Sequence, residues 1–281
     1  MKRQFNKIAI VGVGLIGGSI GLAVKKRGLA KEIIGIGRRK SSMQKAIKRG
    51  AIDKGTLDLD NGVEDADLII IATPVNQVVS KVKEAARHAK EGAIIIDVNS
   101  TKEDIIRNIN NALPKKVSFV GCHPMAGSEQ LGVMNAEDDL FLNSVCIVTP
   151  TRNTKKTPLS TVKKFWKQLG ASIFMLSPSA HDKAVANISH LPHIVSYALC
   201  NLVTLRDSKV AGNGFKDTTR IAKSSPQMWL DIFAQNKKNV LSSITSFEKE
   251  LRLLKIDLRK GRKRALLNRL NAAKKKREEI G

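Results

Sequence analysis

The sequence predicts an α/β protein with a doubly wound parallel sheet in its N-terminal part and an all-helical C-terminal part. Short β-branched runs alternate with helical patterns as far as residue 177, as in a parallel sheet covered by helices. From residue 178 onward, apolar residues recur only at helical spacing. The 281 residues, 42% of them hydrophobic, suffice for two modest domains, which we place at 1–177 and 178–281.

The β-like and helical segments of the first domain follow one another in order. The predicted strands are Ile8–Val11, Ile33–Ile36, Leu68–Ala72, Ile94–Val98, Phe119–Val120, Val145–Val148 and Ser172–Leu176. The predicted helices between them are Ile16–Arg27, Ser42–Lys48, Val75–Ala89 and Leu159–Leu169. This order is that of a repeated βα unit.

The second domain is predicted to consist of long amphipathic helices. They cover Val185–Leu205, Ser225–Ile256 and Arg264–Lys276. An apolar stripe with spacings of three and four runs along the middle one, through Val240, Ile244, Phe247, Leu251 and Leu254. Since these helices need something to cover them, we expect a homodimer. The basic run from Lys274 to Arg277 is interpreted as a solvated, frayed helix end.

Composition limits the class of protein. The longest apolar runs are of strand length, far below the roughly 20 residues of a membrane span, and the N-terminus lacks the pattern of a signal peptide. The three widely spaced cysteines fit neither a disulfide framework nor paired zinc ligands. We therefore expect a cytoplasmic protein with reduced cysteines and no membrane contact.

The high positive charge allows two interpretations. A formal net charge of +24 and a pI near 10.2 are compatible with nucleic-acid binding. The basic residues are scattered, however, aromatic residues make up only 4%, and no nucleic-acid-binding motif accompanies them. A lysine-rich surface that attracts anionic substrates is the favoured interpretation, and nucleic acid is not an expected partner.

A glycine-rich turn predicts a dinucleotide site. Gly12, Gly14 and Gly17 form a GxGxxG pattern that follows a hydrophobic strand and opens a helix, together with Leu15 and Ile16. Gly12 permits the turn, Gly14 lets the backbone approach a pyrophosphate, and Gly17 allows close helix packing. The first domain is therefore predicted to be of the Rossmann type.

The segment after the second strand favours NADP over NAD. NAD-binding proteins usually carry a carboxylate here for the ribose 2′-hydroxyl. In this sequence Gly37 is followed by Arg38, Arg39 and Lys40. Because arginine pairs well with phosphate, Arg38 and Arg39 are expected to bind a 2′-phosphate, although NAD stays possible and both residues could be plain surface charges.

Further polar motifs lie where strands are predicted to end. DVNSTK, residues 97–102, contains Ser100, which could bind a ligand or cap a helix in a capping box with Glu103. GCHPMAGS, residues 121–128, places His123 at the end of another strand. Its neighbour Cys122 is a poor thiolate partner, because adjacent strand residues point to opposite faces.

These motifs, taken in order, resemble the prephenate and arogenate dehydrogenase family. The matching segments extend over most of the chain and comprise GVGLIGGS, ATP at Ala72–Pro74, DVNSTK, GCHPMAGSE, SHLPH and GFKDTTRIAKSSPQMW. The resemblance implies oxidative decarboxylation of prephenate, or of its amino analogue arogenate, with hydride transfer to NAD(P) on the route to tyrosine. A substrate-binding and dimerising helical domain is implied as well.

The resemblance also implies roles for individual residues. His123 would accept the proton of the ring hydroxyl, with Ser100 orienting that hydroxyl and the imidazole. Arg220 would clamp a substrate carboxylate, while His190, Lys216 and Asp217 would line the substrate side. Thr73 and Pro74 would join the glycine turn at the cofactor, and no metal is expected. If its pKa is unperturbed, His123 should titrate near 6.5, and activity should rise with pH through that value.

Two other readings stay open. A β-hydroxyacid dehydrogenase would share the two-domain architecture, but its lysine-based site is not evident beside the HPMAG and FKDTTR motifs. A nucleotide-sensing nucleic-acid-binding protein is suggested by charge alone. Prephenate and arogenate differ by one amino group in place of one keto group, so a single side chain could decide between them.

Overall fold

The computed structural model describes residues 3–109 and 112–280. Met1 and Lys2, the first residues of the basic N-terminal segment, lie outside this part. The described residues form two compact units, which divide between Asn236 and Lys237. The boundary expected after Ser177 follows the last strand of the sheet; as a domain boundary it stays a prediction.

One eight-stranded sheet organises the first unit, in the order β3-β2-β1-β4-β5-β6-β7-β8. Its strands are β1 Phe5–Val11, β2 Ala30–Ile36, β3 Lys54–Thr56, β4 Leu68–Ile71, β5 Ile94–Asp97, β6 Ser118–Pro124, β7 Val145–Thr149 and β8 Ser172–Met175. The doubly wound fold is confirmed. One pairing departs from the parallel prediction: β7 runs antiparallel to β6, with His123 opposite Ile147.

Helices cover the sheet and continue beyond its last strand. Those before β8 are α1 Leu15–Lys26, α2 Lys40–Lys48, α3 Leu59–Val63, α4 Val78–His88, α5 Glu103–Ile109 and α6 Lys156–Gln168. Those after it in the first unit are α7 Pro178–Val185, α8 Leu191–Leu202, α9 Leu205–Ser208, α10 Asn213–Thr219 and α11 Pro226–Gln235. A π-helical turn, Ala186–His190, joins α7 to α8.

The core lies on both faces of the sheet. Leu68 and Ile70 of β4 pack into one cluster, while Ile69 and Ile71 pack into the other. A strand buried on both faces needs such a continuous apolar run, because successive side chains point in opposite directions. Trp229 of α11 belongs to the second cluster, so the helices that follow β8 contribute to this core.

The second unit consists of α12 Lys237–Arg259 and α13 Lys263–Ile280. Arg269 Nε of α13 donates to Asp257 Oδ2 of α12 at 3.0 Å. The segment Ser225–Ile256 is helical as predicted, but it is divided into two helices, because α11 ends at Gln235 and α12 begins at Lys237. The Lys274–Arg277 run lies inside α13, which continues to Ile280.

No helix in the described ranges is both long and apolar enough to cross a membrane.

Candidate active site

The glycine turn after β1 has the geometry of a nucleotide-binding loop. Gly12 has a φ of +95°, and a Cβ on it would lie 2.6 Å from the carbonyl oxygen of Ala72. A Cβ on Gly17 would clash with the carbonyl oxygen of Gly12. Both positions therefore require glycine, because the β1 turn, α1 and the end of β4 approach one another closely.

Gly14 differs from the other two glycines. A Cβ added to it would meet no described atom within 4 Å, so the third side of the turn faces open space. Gly14 immediately precedes α1. Leu15 and Ile16 lie in the first turn of this helix, where backbone N–H groups are free to bind an anion. Thr73 and Pro74 lie nearby, just after the end of β4. The buried Oγ1 of Thr73 has no hydrogen-bond partner among the described atoms. This loop fits a pyrophosphate.

The end of β2 carries the predicted cationic segment. Arg38 and Arg39 follow β2 after Gly37, and both are exposed. Arg39 immediately precedes α2 and has an extended backbone. No carboxylate lies between Ile36 and Lys40.

A buried ion pair lies at the end of β5. Lys102 and Asp97 are both fully buried, and their Nζ and Oδ2 atoms are 2.7 Å apart. The ammonium also donates to the carbonyl oxygens of Asn99 at 2.7 Å and Thr101 at 3.0 Å. Its three donors are thus engaged, which compensates for the desolvation of the charge.

His123 lies at the carboxyl end of β6 and belongs to a chain of polar contacts. Its Nδ1 is 2.8 Å from Nε2 of His181, whose Nδ1 is 2.7 Å from Oδ1 of Asp182. His181 and Asp182 come from α7, so an element beyond the sheet positions a strand residue. With Nδ1 engaged, Nε2 is the ring nitrogen of His123 that lies outside this chain of contacts.

Asp182 also accepts two backbone hydrogen bonds at the start of α5. Its Oδ1 accepts from the backbone of Lys102 at 2.8 Å, and its Oδ2 accepts from Glu103 at 3.0 Å. The capping box considered for Ser100 and Glu103 is not formed, because the N–H of Glu103 donates to Asp182. Ser100 is left free for another role.

Burial keeps the imidazoles of this region neutral. The pKa of His123 lies well below 6.5, first because of burial and then because of the neighbouring His181, Lys102 and His190. The condition for a titration near 6.5, an unperturbed pKa, is therefore not met at His123. Burial also lowers the pKa of His181, and it lowers the pKa of His190 to about 4.

His190 lies beside this chain. It is fully buried, and its Nδ1 is 3.2 Å from Nδ2 of Asn236, whose amide also donates to the carbonyl oxygen of Asp182 at 2.8 Å. The backbone of Ser100 is close enough to oppose the fall in the pKa of His190. Its Nε2 makes no bond of ordinary geometry with a described atom. Ser100, His123 and His190 are thus brought together.

The remaining predicted substrate residues lie at the surface. Lys216 and Asp217 are exposed on α10. The Arg220 side chain is 58% exposed, and its Nη1 lies 2.9 Å from Oε2 of Glu129. Arg220 thus forms an ion pair with a carboxylate of the segment that follows His123.

The cysteines take no part in this network. Cys122 and Cys146 are buried and free, and Cys200 is exposed and free. Burial raises the pKa of the Cys146 thiol well above its ordinary value. Because Nδ1 of His123 contacts His181, the unfavourable view of a Cys122–His123 pair agrees with the geometry. The described residues include no cluster of side chains that could hold a metal ion.

His181 and Asp182 were missed by sequence reasoning. They stand in SAHDKAV, which carries no glycine, proline or repeated histidine to attract notice. One signal was available: a His-Asp dipeptide directly after a Ser-Pro helix start, close behind the last predicted strand.

Comparison with known proteins agrees with this architecture. The family described as prephenate dehydrogenase, nucleotide-binding domain, matches residues 20–175, and the one described as its dimerization domain matches residues 177–272. Prephenate dehydrogenase of Bacillus subtilis is 40% identical over 259 residues, which cover 89% of this chain and 70% of that protein.

Solved structures are similar over nearly the whole chain. Prephenate dehydrogenase from Aquifex aeolicus, in complex with hydroxyphenyl propionate and NAD+, has a TM-score of 0.91 and 36% identity, covering 98% of both chains. Arogenate dehydrogenase of Synechocystis has a TM-score of 0.83 and 30% identity, covering 98% of this chain and 100% of that one.

Proposed function

The chain belongs to the prephenate dehydrogenase family, and on that premise we propose that it oxidatively decarboxylates prephenate to 4-hydroxyphenylpyruvate with a pyridine nucleotide. The observation that carries the proposal is the placement of His123. A neutral imidazole stands at the carboxyl edge of the sheet, with its Nδ1 held by His181 and its Nε2 left to react. Open α/β sheets bind their ligands at this edge.

The residues present fit a dinucleotide. The turn at Gly12 and Gly14, the first turn of α1 and the unpartnered Oγ1 of Thr73 offer donors and space for a pyrophosphate. Asn99, at the end of β5, likewise has a buried Nδ2 without a partner among the described atoms. A bound nicotinamide supplies the acceptor for the hydrogen that leaves the carbinol carbon.

The chain's own residues hold the substrate and take its proton. Nε2 of His123 accepts the ring hydroxyl proton while the hydroxyl oxygen becomes a carbonyl oxygen, and Ser100 orients that hydroxyl. When the ring carboxylate leaves as CO2, the electron pair of the broken C–C bond moves through the ring to the carbonyl oxygen. That oxygen takes up a proton, and the resulting phenol ring is aromatic, which drives the reaction. The guanidinium of Arg220 binds a substrate carboxylate, with His190, Lys216 and Asp217 on the same side.

Arogenate is the alternative substrate. The similarity to the Synechocystis arogenate dehydrogenase supports this alternative. Since both substrates lose the same ring carboxylate, His123 would act identically on either. Parallel measurements with prephenate and arogenate decide between them.

We propose NADP as the preferred cofactor. Arg38 and Arg39 follow β2, where a ribose-binding carboxylate would otherwise stand, and their exposed guanidinium groups suit a 2′-phosphate. Replacing both with glutamine should raise the KM for NADP far more than that for NAD. Equal or better use of NAD by the unmodified enzyme would refute this preference.

We further propose that the protein works as a homodimer in the reducing cytoplasm. The match to a dimerization domain supports the first point, as do apolar side chains exposed on the second unit, such as Leu258 at 66% and Leu267 at 55%. The three free cysteines support the second point. Sedimentation velocity at micromolar concentration tests the dimer.

The activity itself is tested by absorbance and by product. Purified protein mixed with prephenate and NADP or NAD should form reduced nucleotide together with stoichiometric 4-hydroxyphenylpyruvate and CO2. A β-hydroxyacid substrate such as 3-hydroxyisobutyrate is the control and should give no reduction. Turnover of the hydroxyacid in place of prephenate and arogenate would overturn the proposal.

A further inference from the structure

Asp182 determines which atom is the donor in each hydrogen bond of the chain that runs from His123 through His181 to Asp182. Asp182 is buried and accepts the backbone N–H groups of Lys102 and Glu103. An ionised carboxylate offers only lone pairs, so the 2.7 Å contact with His181 requires that Nδ1 of His181 carry the hydrogen.

The tautomer of His181 in turn determines the tautomer of His123. A neutral imidazole has one donor and one acceptor, and burial lowers the pKa of His181, which favours the neutral ring. With its hydrogen on Nδ1, His181 presents the lone pair of Nε2 to His123. Nδ1 of His123, at 2.8 Å, must then be the donor. Nε2 of His123 is left with a lone pair.

We propose that His181 and Asp182 are positioning residues that hold His123 in the Nδ1–H tautomer, with Nε2 ready to accept a proton. The inference rests on the proposed function only for the identity of that proton. When a substrate O–H bond breaks, its proton forms the new N–H bond at Nε2 of His123. The Nδ1–H bond to His181 persists and steadies the resulting imidazolium.

Other charged groups near the pair do not compete for these contacts. The ammonium of Lys102 donates to Asp97, Asn99 and Thr101. Nδ1 of His190 faces Asn236. The contacts on Nδ1 of His123 and on both nitrogens of His181 therefore form a single line that ends at Asp182.

The tautomer can be measured without any activity assay. Nitrogen-15 NMR of histidine-labelled, ligand-free full-length protein at pH 7.5 distinguishes protonated from unprotonated ring nitrogens. The variants His123→Asn and His181→Gln assign the signals among the five histidines. We expect protonated Nδ1 and unprotonated Nε2 on both rings. A protonated Nε2 on His123 would overturn the proposal.

Two replacements of His181 separate positioning from packing. His181→Leu has a similar volume but no acceptor, so His123 loses its constraint, and kcat should fall by about 10²- to 10⁴-fold with KM within about threefold. In His181→Gln, the amide oxygen can accept from His123 while the amide N–H donates to Asp182. This variant should keep kcat within about tenfold of wild type.

The outcomes discriminate clearly. The inference fails if both variants have the kcat of wild type, or if His181→Gln is as impaired as His181→Leu. Either result would show that turnover does not depend on a hydrogen-bond acceptor for the Nδ1–H of His123. Asp138→Asn, which alters an exposed pair with Lys26, is the matched control and should keep wild-type kinetics. If the wild type turns over neither prephenate nor arogenate, the proposed function fails, while the NMR result still decides the tautomer.

Discussion

At the scale of single residues, the shifted pKa of His123 changes how activity should depend on pH. Because burial keeps the pKa well below 6.5, the imidazole is already a free base at neutral pH. The rate kcat/KM should stay level as the pH falls through 6.5 and decline only in more acidic solution, where His123 becomes protonated. A profile with its acid limb centred at 6.5 would contradict this.

Replacing His123 tests its role as the base. In His123→Asn, the amide can still donate to His181 but cannot take a proton at neutral pH, so turnover should fall by about 10²- to 10⁴-fold. Substrate binding, measured by equilibrium dialysis, should be nearly unchanged. His88→Asn, at an exposed histidine, serves as the control. A fully active His123→Asn would assign His123 a structural role.

Arg220 offers a second residue-scale prediction, since its ion pair with Glu129 provides a control. Arg220→Ala should weaken prephenate binding by about tens- to thousands-fold, and Arg220→Lys should restore part of it, because lysine lacks the planar two-donor fork. Cofactor affinity should barely change. Isothermal titration with each ligand measures both effects.

Glu129→Gln breaks the same ion pair but keeps the guanidinium. If Arg220 binds substrate, this variant should bind prephenate at least as well as wild type. Equal losses of substrate and cofactor binding in Glu129→Gln and Arg220→Ala, with lower thermal stability in both, would instead identify a structural ion pair.

Sequence motifs predicted those site residues that stand in a recognisable local sequence context. Ser100 and His123 stand at strand ends, and His190 stands in SHLPH; the structure brings all three together. His181 and Asp182 could not be assigned, because their importance depends on α7 packing beside α5 and β6. That packing joins segments about 60 to 80 positions apart.

At the scale of elements, hydrophobic periodicity predicted most strands of the sheet. It predicted neither the edge strand β3 nor the antiparallel direction of β7. β3 has only three residues, Lys54–Thr56, of which none is fully buried, so it carries no apolar signal. β7 has the same β-branched character as a parallel strand. The connection between β6 and β7 contains a short 3-10 turn, Val133–Asn135, but no α-helix of the kind that links parallel neighbours, which agrees with the antiparallel direction of β7.

Two glycines of the nucleotide loop make a matched pair for an element-scale prediction. Gly12→Ala places a methyl group against the backbone at Ala72 and forces a non-glycine residue to a φ of +95°, so both folding stability and cofactor binding should suffer. Gly14→Ala meets no atom within 4 Å in the folded chain and has an ordinary negative φ.

Gly14→Ala should therefore keep its melting temperature yet bind the nucleotide more weakly, because the methyl group occupies the space in front of the helix N-terminus. Differential scanning fluorimetry and nucleotide titration measure the two effects. If Gly14→Ala binds cofactor like wild type, the pyrophosphate does not approach at Gly14. If Gly12→Ala melts like wild type, the close approach to Ala72 is not a constraint.

At the scale of the whole molecule, the charge of +24 is spread over the surface, while the core of the site is balanced. Lys102 is paired with Asp97, and burial keeps His123, His181 and His190 neutral. The positive field can thus gather anionic substrates and cofactors without placing free charge in the core. Sequence composition gives the total charge, but only the fold shows which charges are buried and paired.

The buried histidines also make stability depend on pH. His123, His181, His190 and His193 all have pKa values lowered mainly by burial, so below pH 6.5 the unfolded chain binds more protons than the folded one. Stability therefore falls as the pH drops from 6.5 toward the folded-state values. Each such histidine contributes up to about 1.4 kcal/mol per pH unit within its own window.

His190 allows the pH dependence of stability to be tested, because its pKa falls on folding from 6.5 to about 4, and its contribution changes between these two pH values. Urea unfolding of wild type between these values should show free energy falling with acidification. His190→Asn removes one titrating group while its amide can still contact Asn236, so its slope should be shallower by up to about 1.4 kcal/mol per pH unit. Parallel curves for wild type and His190→Asn would mean that His190 does not lose proton affinity on folding.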